Sequence, residues 1–164
     1  NKALIEPEIA FILESDLPSN KNYSNEDIDT AFTRAHLALE LIQKRFDEST
    51  LSTHIEKLAD GLSNQGVYVG PQIDKAKAYN ASSVNINVKQ TDAELSFAGA
   101  HPAELAQLPL YWAVNYLSAK GIDLKAGHVF ITGSYCGVVE LNTDQLTTIS
   151  YEGLDAFSTT FISK

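Results

Sequence analysis

Residues 4–13 constrain the fold more than any other part of this chain. They alternate as a strand does: Glu6, Glu8, Ala10 and Ile12 leave one face, and Ile5, Pro7, Ile9, Phe11 and Leu13 leave the other. One face is wholly apolar, and the opposite one carries two carboxylates. Pro7 has no N–H to give to a ladder, which predicts an edge position or a bulge there. A strand of this kind calls for further strands to cover it, and the rest of the sequence supplies them.

Ser24 followed by Asp27 reads as a capping box, with Asp in place of the usual Glu or Gln. It opens a helix expected over 25–36, with Ile28, Phe32 and Ala35 on one stripe. The run 37–42 is almost wholly apolar, so periodicity leaves helix and strand both open. The segment 49–66 is polar and turn-rich. Strands are expected at 66–70 and 83–89, the second with Val84, Ile86 and Val88 on one face, and a hairpin turn at 92–94 leads into 95–97. Pro109 suits the first turn of a helix that carries Trp112, Ala113, Tyr116 and Leu117 inward and ends at Gly121. Strands near 128–132, 138–141, 147–151 and 156–162 close the chain. The class is therefore α+β, mostly β, with a rolled or sandwiched sheet and two main helices, in a single domain over 1–164.

At 164 residues, 44% hydrophobic and 20% charged, the chain has the composition of an ordinary globular domain with room for a core. Its net charge of -9 excludes nucleic acid and an anionic membrane surface as expected partners, since both call for clustered Lys and Arg. A single cysteine, Cys136, cannot form an internal disulfide. No apolar run approaches the ~18 residues of a spanning helix, and no secretory pattern is present, so a cytoplasmic setting is expected. The chain begins at Asn1 and has no methionine, which reads as a missing natural start and a missing upstream portion.

Two carboxylates on one strand face repel each other unless something positive lies between them. A hard dication is one solution, because Mg²⁺ and Mn²⁺ take oxygen ligands; a charge-decorated strand edge is the other. Spacing alone leaves both open. Glu40 interrupts an apolar run, where a lone carboxylate is costly to bury unless it is paired or coordinated. A surface position on a helical turn is the alternative. His36, His54 and His128 show no ligand spacing. Lys89 ends a strand and His101 precedes a Pro in a loop, and both read as surface residues.

These residues, taken in order, resemble a known family. Glu6-Pro7-Glu8-Ile9-Ala10-Phe11-Ile12-Leu13, Asp16-Leu17-Pro18 and Ala38-Leu39-Glu40-Leu41 are similar to the 2-keto-4-pentenoate hydratases, which belong to the fumarylacetoacetate hydrolase superfamily. Ala59-Asp60-Gly61-Leu62-Ser63-Asn64-Gln65-Gly66, then Leu124 to Ser134, then Glu152-Gly153-Leu154 with Phe161, follow in the family's order. The resemblance implies the mixed β-sandwich roll of the superfamily's C-terminal domain. It implies Glu6, Glu8 and Glu40 as ligands of Mg²⁺ or Mn²⁺, Thr132, Gly133 and Ser134 as substrate-binding, and Asp60 as a catalytic candidate that orients water or anchors its loop. The implied reaction is addition of water to a 2-hydroxydienoate, giving a 4-hydroxy-2-oxo acid. Decarboxylation, acylpyruvate-type hydrolysis and a non-catalytic metal-binding remnant are the alternatives. Family members are dimers or larger homo-oligomers. They also carry a region ahead of the Glu-x-Glu strand, holding proposed acid–base residues, that this chain lacks. Gly61 stands where the family has Asn, and Asp155 where it has a second Gly.

Overall fold

The computed structural model describes residues 2–47 and 52–163. Of the segment read as turn-rich, residues 49–51 lie outside that description. In chain order the elements are β1 (Lys2–Ile12), α1 (Asn25–Ala31), β2 (Arg34–Ile42), α2 (His54–Ala59), a 3₁₀ turn (Gly61–Ser63), β3 (Asn64–Ile73), α3 (Lys75–Asn80), β4 (Ser83–Gln90) and β5 (Ala93–Ala100). They continue with α4 (Gln107–Ala119), β6 (Val129–Ile131), β7 (Val139–Asn142), β8 (Leu146–Tyr151) and β9 (Asp155–Thr160). The expected class holds: strands dominate, in two antiparallel sheets, although two short helices are added, α2 in the segment expected to be turn-rich and α3 in a stretch where no element is expected.

The first sheet runs β3-β2-β1-β6, with β7 also paired to β1; the second runs β5-β4-β8-β9. The apolar face of β1 does what its alternation predicts. Ile5, Ile9, Phe11 and Leu13 are fully buried, in one core with Leu37 and Leu39 of β2, Ile86 and Val88 of β4, and Ile149 and Tyr151 of β8. Tyr68 of β3 stacks on Phe157 of β9, and the Tyr151 hydroxyl donates to the Ala38 carbonyl at 2.8 Å, tying one sheet to the other.

Two expectations are corrected. β1 is a central strand, not an edge. Pro7 pairs with Leu39 on one side, and on the other it falls in the gap between β7, whose pairing stops at Ile5, and β6, whose pairing starts at Ala10. Its carbonyl faces that gap and accepts from the Tyr135 amide at 3.1 Å, so the missing N–H falls where no strand asks for it. The helix expected over 25–36 stops at Ala31. The Ser24 capping box forms as read, but residues 34–42 pair with β1 along nine positions. That ladder overrides the helical stripe expected to run on to Ala35.

A third correction concerns α4. Its buried stripe is Leu110, Val114 and Ser118, whereas Trp112 is 64% exposed and stacks on Tyr116 at 4.8 Å. The Ser118 hydroxyl donates to the Lys21 carbonyl at 2.7 Å and accepts from the Lys21 amide, and Asn115 exchanges bonds with the backbone of Tyr23. Polar groups thus turn this helix toward the 18–23 loop, against the choice its largest apolar side chains would make.

Candidate metal centre

The second face of β1 carries the chemistry. Glu6 sits directly across from Glu40 of β2, and Glu8 lies two residues along the same face, across from Ala38. One oxygen from each of the three carboxylates can be chosen so that all lie within 4.8 Å of one another, a spacing at which the three could serve together as oxygen donors to a single hard cation. The ambiguous run 37–42 is strand, and this pairing is what carries Glu40 to the other two.

The site is electrostatically loaded. Glu8 is only 2% exposed, and burial pushes its pKa up from 4.5 to about 7; the Gly133 amide pulls it back, and the charges of Glu40 and Glu6 push it further up. Glu6 is raised too, by burial first and then by Glu40. Two carboxyls whose ionisation is held back beside a third carboxylate fit a +2 ion in the donor set.

Neighbouring groups hold two of the three carboxylates. The Gly133 N–H donates to Glu8 Oε2 at 2.7 Å, and Asn64 Nδ2 donates to Glu40 Oε1 at 2.7 Å. Gly133 adopts φ +134, and a Cβ there would meet Pro102 Cγ at 2.7 Å, so only glycine brings this amide to Glu8. The three glutamates floor an open cleft of about 530 Å³. Its walls come from Leu62 and Asn64 after α2, Trp112 and Ala113 of α4, and Phe130 to Ser134.

The expected site residues therefore divide. Glu6, Glu8, Glu40, Thr132, Gly133 and Ser134 line one cleft. Asp60 is not one of the lining residues: Arg45 Nε donates to Asp60 Oδ1 at 2.7 Å, and Arg45 also bonds its backbone carbonyl. That arrangement anchors the loop from which Leu62 enters the cleft in a left-handed conformation, φ 55. His101 is not a surface residue; it is 5% exposed, with Nε2 at 3.3 Å from the Thr132 hydroxyl. Asn64 and His101 are the participants sequence reasoning missed. Asn64 stood inside a quoted motif, three residues after Gly61, and a His before Pro in a loop gave no periodicity to read.

Other motifs of the series serve the frame. Leu17 and Leu124 exchange backbone bonds at 2.9 and 3.0 Å, and Asp16 accepts from the Ala126 amide and from Lys125. Glu152 bonds Asn85, and Gly153, at φ +80, turns β8 into β9.

No family model matches the chain. It is 28% identical over 163 residues to a 2-hydroxyhexa-2,4-dienoate hydratase of Comamonas testosteroni, covering 95% of this chain and 59% of that protein. Its fold matches the 4-oxalocrotonate decarboxylase of Pseudomonas putida G7, complexed with magnesium and adipate. There the TM-score is 0.73 at 22% identity, over 98% of this chain and 61% of that one. A fumarylpyruvate hydrolase from Pseudomonas aeruginosa, in complex with Mn²⁺ and pyruvate, matches with TM-score 0.64 at 13% identity, over 100% of this chain and 67% of that one. The chain spans about three fifths of the length of the first two. The fold is that of the C-terminal domain of the fumarylacetoacetate hydrolase superfamily, as the ordered motifs implied.

Proposed function

We propose that this chain forms the metal-binding part of a hydro-lyase that adds water to a 2-hydroxydienoate. The observation that carries the reading is the trio Glu6, Glu8 and Glu40, gathered within 4.8 Å at the floor of a cleft. These residues would hold Mg²⁺ or Mn²⁺, which supplies Lewis acidity toward the carboxylate and 2-oxygen of the substrate. Three carboxylates around a +2 ion leave a net charge of -1, so the site favours a chelating substrate of low charge. In the reaction the dienoate takes a proton at its far carbon as its 2-hydroxyl gives one up. Water then adds across the remaining double bond, leaving a hydroxyl on carbon 4 and a hydrogen on carbon 3.

The chain's own residues bind and shield. The Gly133 amide and Asn64 orient Glu8 and Glu40. Leu62, Trp112, Phe130 and Ile131 offer an apolar wall to the substrate's tail, and among the described residues no Lys, Arg or His lines the cleft. A second carboxylate on the tail would meet nothing positive there, which supports an uncharged tail, as in the hydratase relative. Asp60 is proposed as a loop anchor that sets Leu62, rather than as a proton carrier.

Calorimetry tests the ligand set. Replacing a direct ligand, Glu40→Ala, should weaken Mn²⁺ binding by at least the ~10–100-fold seen for lost supporting residues, and equal affinity would sink the reading. Loss of ultraviolet absorbance of 2-hydroxypenta-2,4-dienoate with added Mn²⁺ tests the activity in the protein that carries this chain. A 4-hydroxy-2-oxo acid product supports the hydratase. Release of CO₂ from a dicarboxylate analogue would assign a decarboxylase instead, and intact Mn²⁺ binding with no turnover would assign a remnant.

A further inference from the structure

The loop Thr132-Gly133-Ser134 offers three polar groups at the cleft, and two are already committed. The Gly133 N–H is taken by Glu8 at 2.7 Å. The Ser134 hydroxyl has one hydrogen, and its neighbours are the carbonyls of Pro7 at 3.2 Å and Gly137 at 3.3 Å, both acceptors only, so that hydrogen stays on the backbone. Thr132 differs. Its hydroxyl faces a ring nitrogen, His101 Nε2, at 3.3 Å, and which of the two donates is decided one atom further back.

The Ala103 amide donates to Nδ1 of the same ring at 3.2 Å. Nδ1 therefore presents its lone pair, and a neutral imidazole must then carry its hydrogen on Nε2. Burial favours the neutral form, holding the His101 pKa below the ordinary histidine value. The ring has little freedom to turn. The His101 amide donates to the Ser82 carbonyl at 2.8 Å, and the ring meets Tyr135 edge-on at 5.4 Å, while the Tyr135 hydroxyl is fixed on the Ala81 carbonyl. Nε2–H thus donates to Thr132 Oγ1, and the threonine's own hydrogen is left for an acceptor in the cleft that Thr132 lines.

We infer that His101 is a positioning residue, which holds the Thr132 hydroxyl as a hydrogen-bond donor to the carboxylate of a 2-oxo acid bound beside Glu8. The inference rests on the proposed dication site, since that site brings the acid to this wall. It makes Thr132 the member of the loop that meets substrate, with Gly133 and Ser134 holding the ligand and the loop.

The test uses the protein that carries this chain, with Mn²⁺ and then 2-oxobutanoate titrated calorimetrically. Mn²⁺ affinity should stay within ~2-fold in Thr132→Val, His101→Phe and His101→Gln, because none of these removes a ligand. With Mn²⁺ saturating, Thr132→Val should weaken 2-oxobutanoate by ~10-fold or more, the loss of a hydrogen bond to a charged group. His101→Phe should weaken it ~3–10-fold, and His101→Gln, which keeps an N–H for Thr132, should recover most of that loss. Adding His101→Phe to Thr132→Val should weaken binding no further. An unchanged affinity in His101→Phe, or a loss of equal size in both backgrounds, overturns the inference, since a merely structural histidine would act regardless of Thr132. If His101→Phe does not fold, equal affinities in Thr132→Val and Thr132→Ser overturn it. Wild-type protein that binds no Mn²⁺ overturns the dication reading itself, and this one with it.

Discussion

At the scale of single residues, Glu8 has the sharpest consequence. Its carboxyl is held at about 7 when folded, against 4.5 for an ordinary glutamate. Between those values the folded state binds this proton more tightly than the unfolded one, so the Glu8 contribution to stability falls as pH rises, while His101, whose pKa folding lowers, contributes in the opposite direction. The melting temperature of the metal-free wild type is therefore expected to fall relative to that of Glu8→Gln from about pH 4.5 to 7. Saturating Mn²⁺ should offset that relative decline. Melting curves of both proteins across this range, with chelator and with Mn²⁺, check the sign; a rise of the chelated wild type relative to Glu8→Gln would contradict the burial argument. Glu6 and Glu8 were legible in the sequence as a same-face pair, because strand parity needs only counting. Their meeting with Glu40 came only through the ordered family resemblance, since register between two strands is a tertiary fact that residue spacing does not carry. The place of His101 was invisible for a related reason: its partners Thr132, Tyr135 and Ser82 are all remote in sequence.

At the scale of elements, the turn that carries Gly133 leaves little room for change. An alanine there would combine a left-handed-region backbone with a Cβ 2.7 Å from Pro102 Cγ. Gly133→Ala should cost about 1–3 kcal/mol in urea unfolding and should weaken Mn²⁺ binding as well, because the amide that orients Glu8 moves with the strain. At the other end of the range, Ser24→Ala should cost about 1 kcal/mol and leave Mn²⁺ binding alone, since it removes only the cap of α1. Element type was read well wherever a local signal was strong: the β1 alternation, the Ser24 cap, and Gly121 past the end of α4. Element extent and facing were read less well. β2 took residues 34–36 from the expected helix because pairing with β1 outweighs helix propensity. The facing of α4 was set by Ser118 and Asn115, whose bonds to the 18–23 loop leave no trace in a hydrophobic pattern.

At the scale of the whole molecule, the two sheets share one core, with Ile9 and Phe11 from the first and Ile86 and Ile149 from the second. They should therefore unfold together. Ile86→Ala, in the sheet that carries no site residue, is expected to cost about 2–5 kcal/mol. It should shift the urea transitions seen by circular dichroism and by tryptophan emission equally, whereas separate shifts would mean two units. The class, mostly strands with helices set around them, followed from counting elements; the partition into β3-β2-β1-β6 and β5-β4-β8-β9 depends on long-range pairing. One feature of the cleft also equips the protein with an optical probe. Trp112 is the chain's single tryptophan, and its indole stands two-thirds exposed on the wall above the three glutamates. The tryptophan emission of these 164 residues therefore originates beside the three glutamates. Paramagnetic Mn²⁺ should dim that emission where diamagnetic Mg²⁺ leaves its intensity unchanged, and an apolar-tailed acid settling against the indole should move the spectrum toward the blue.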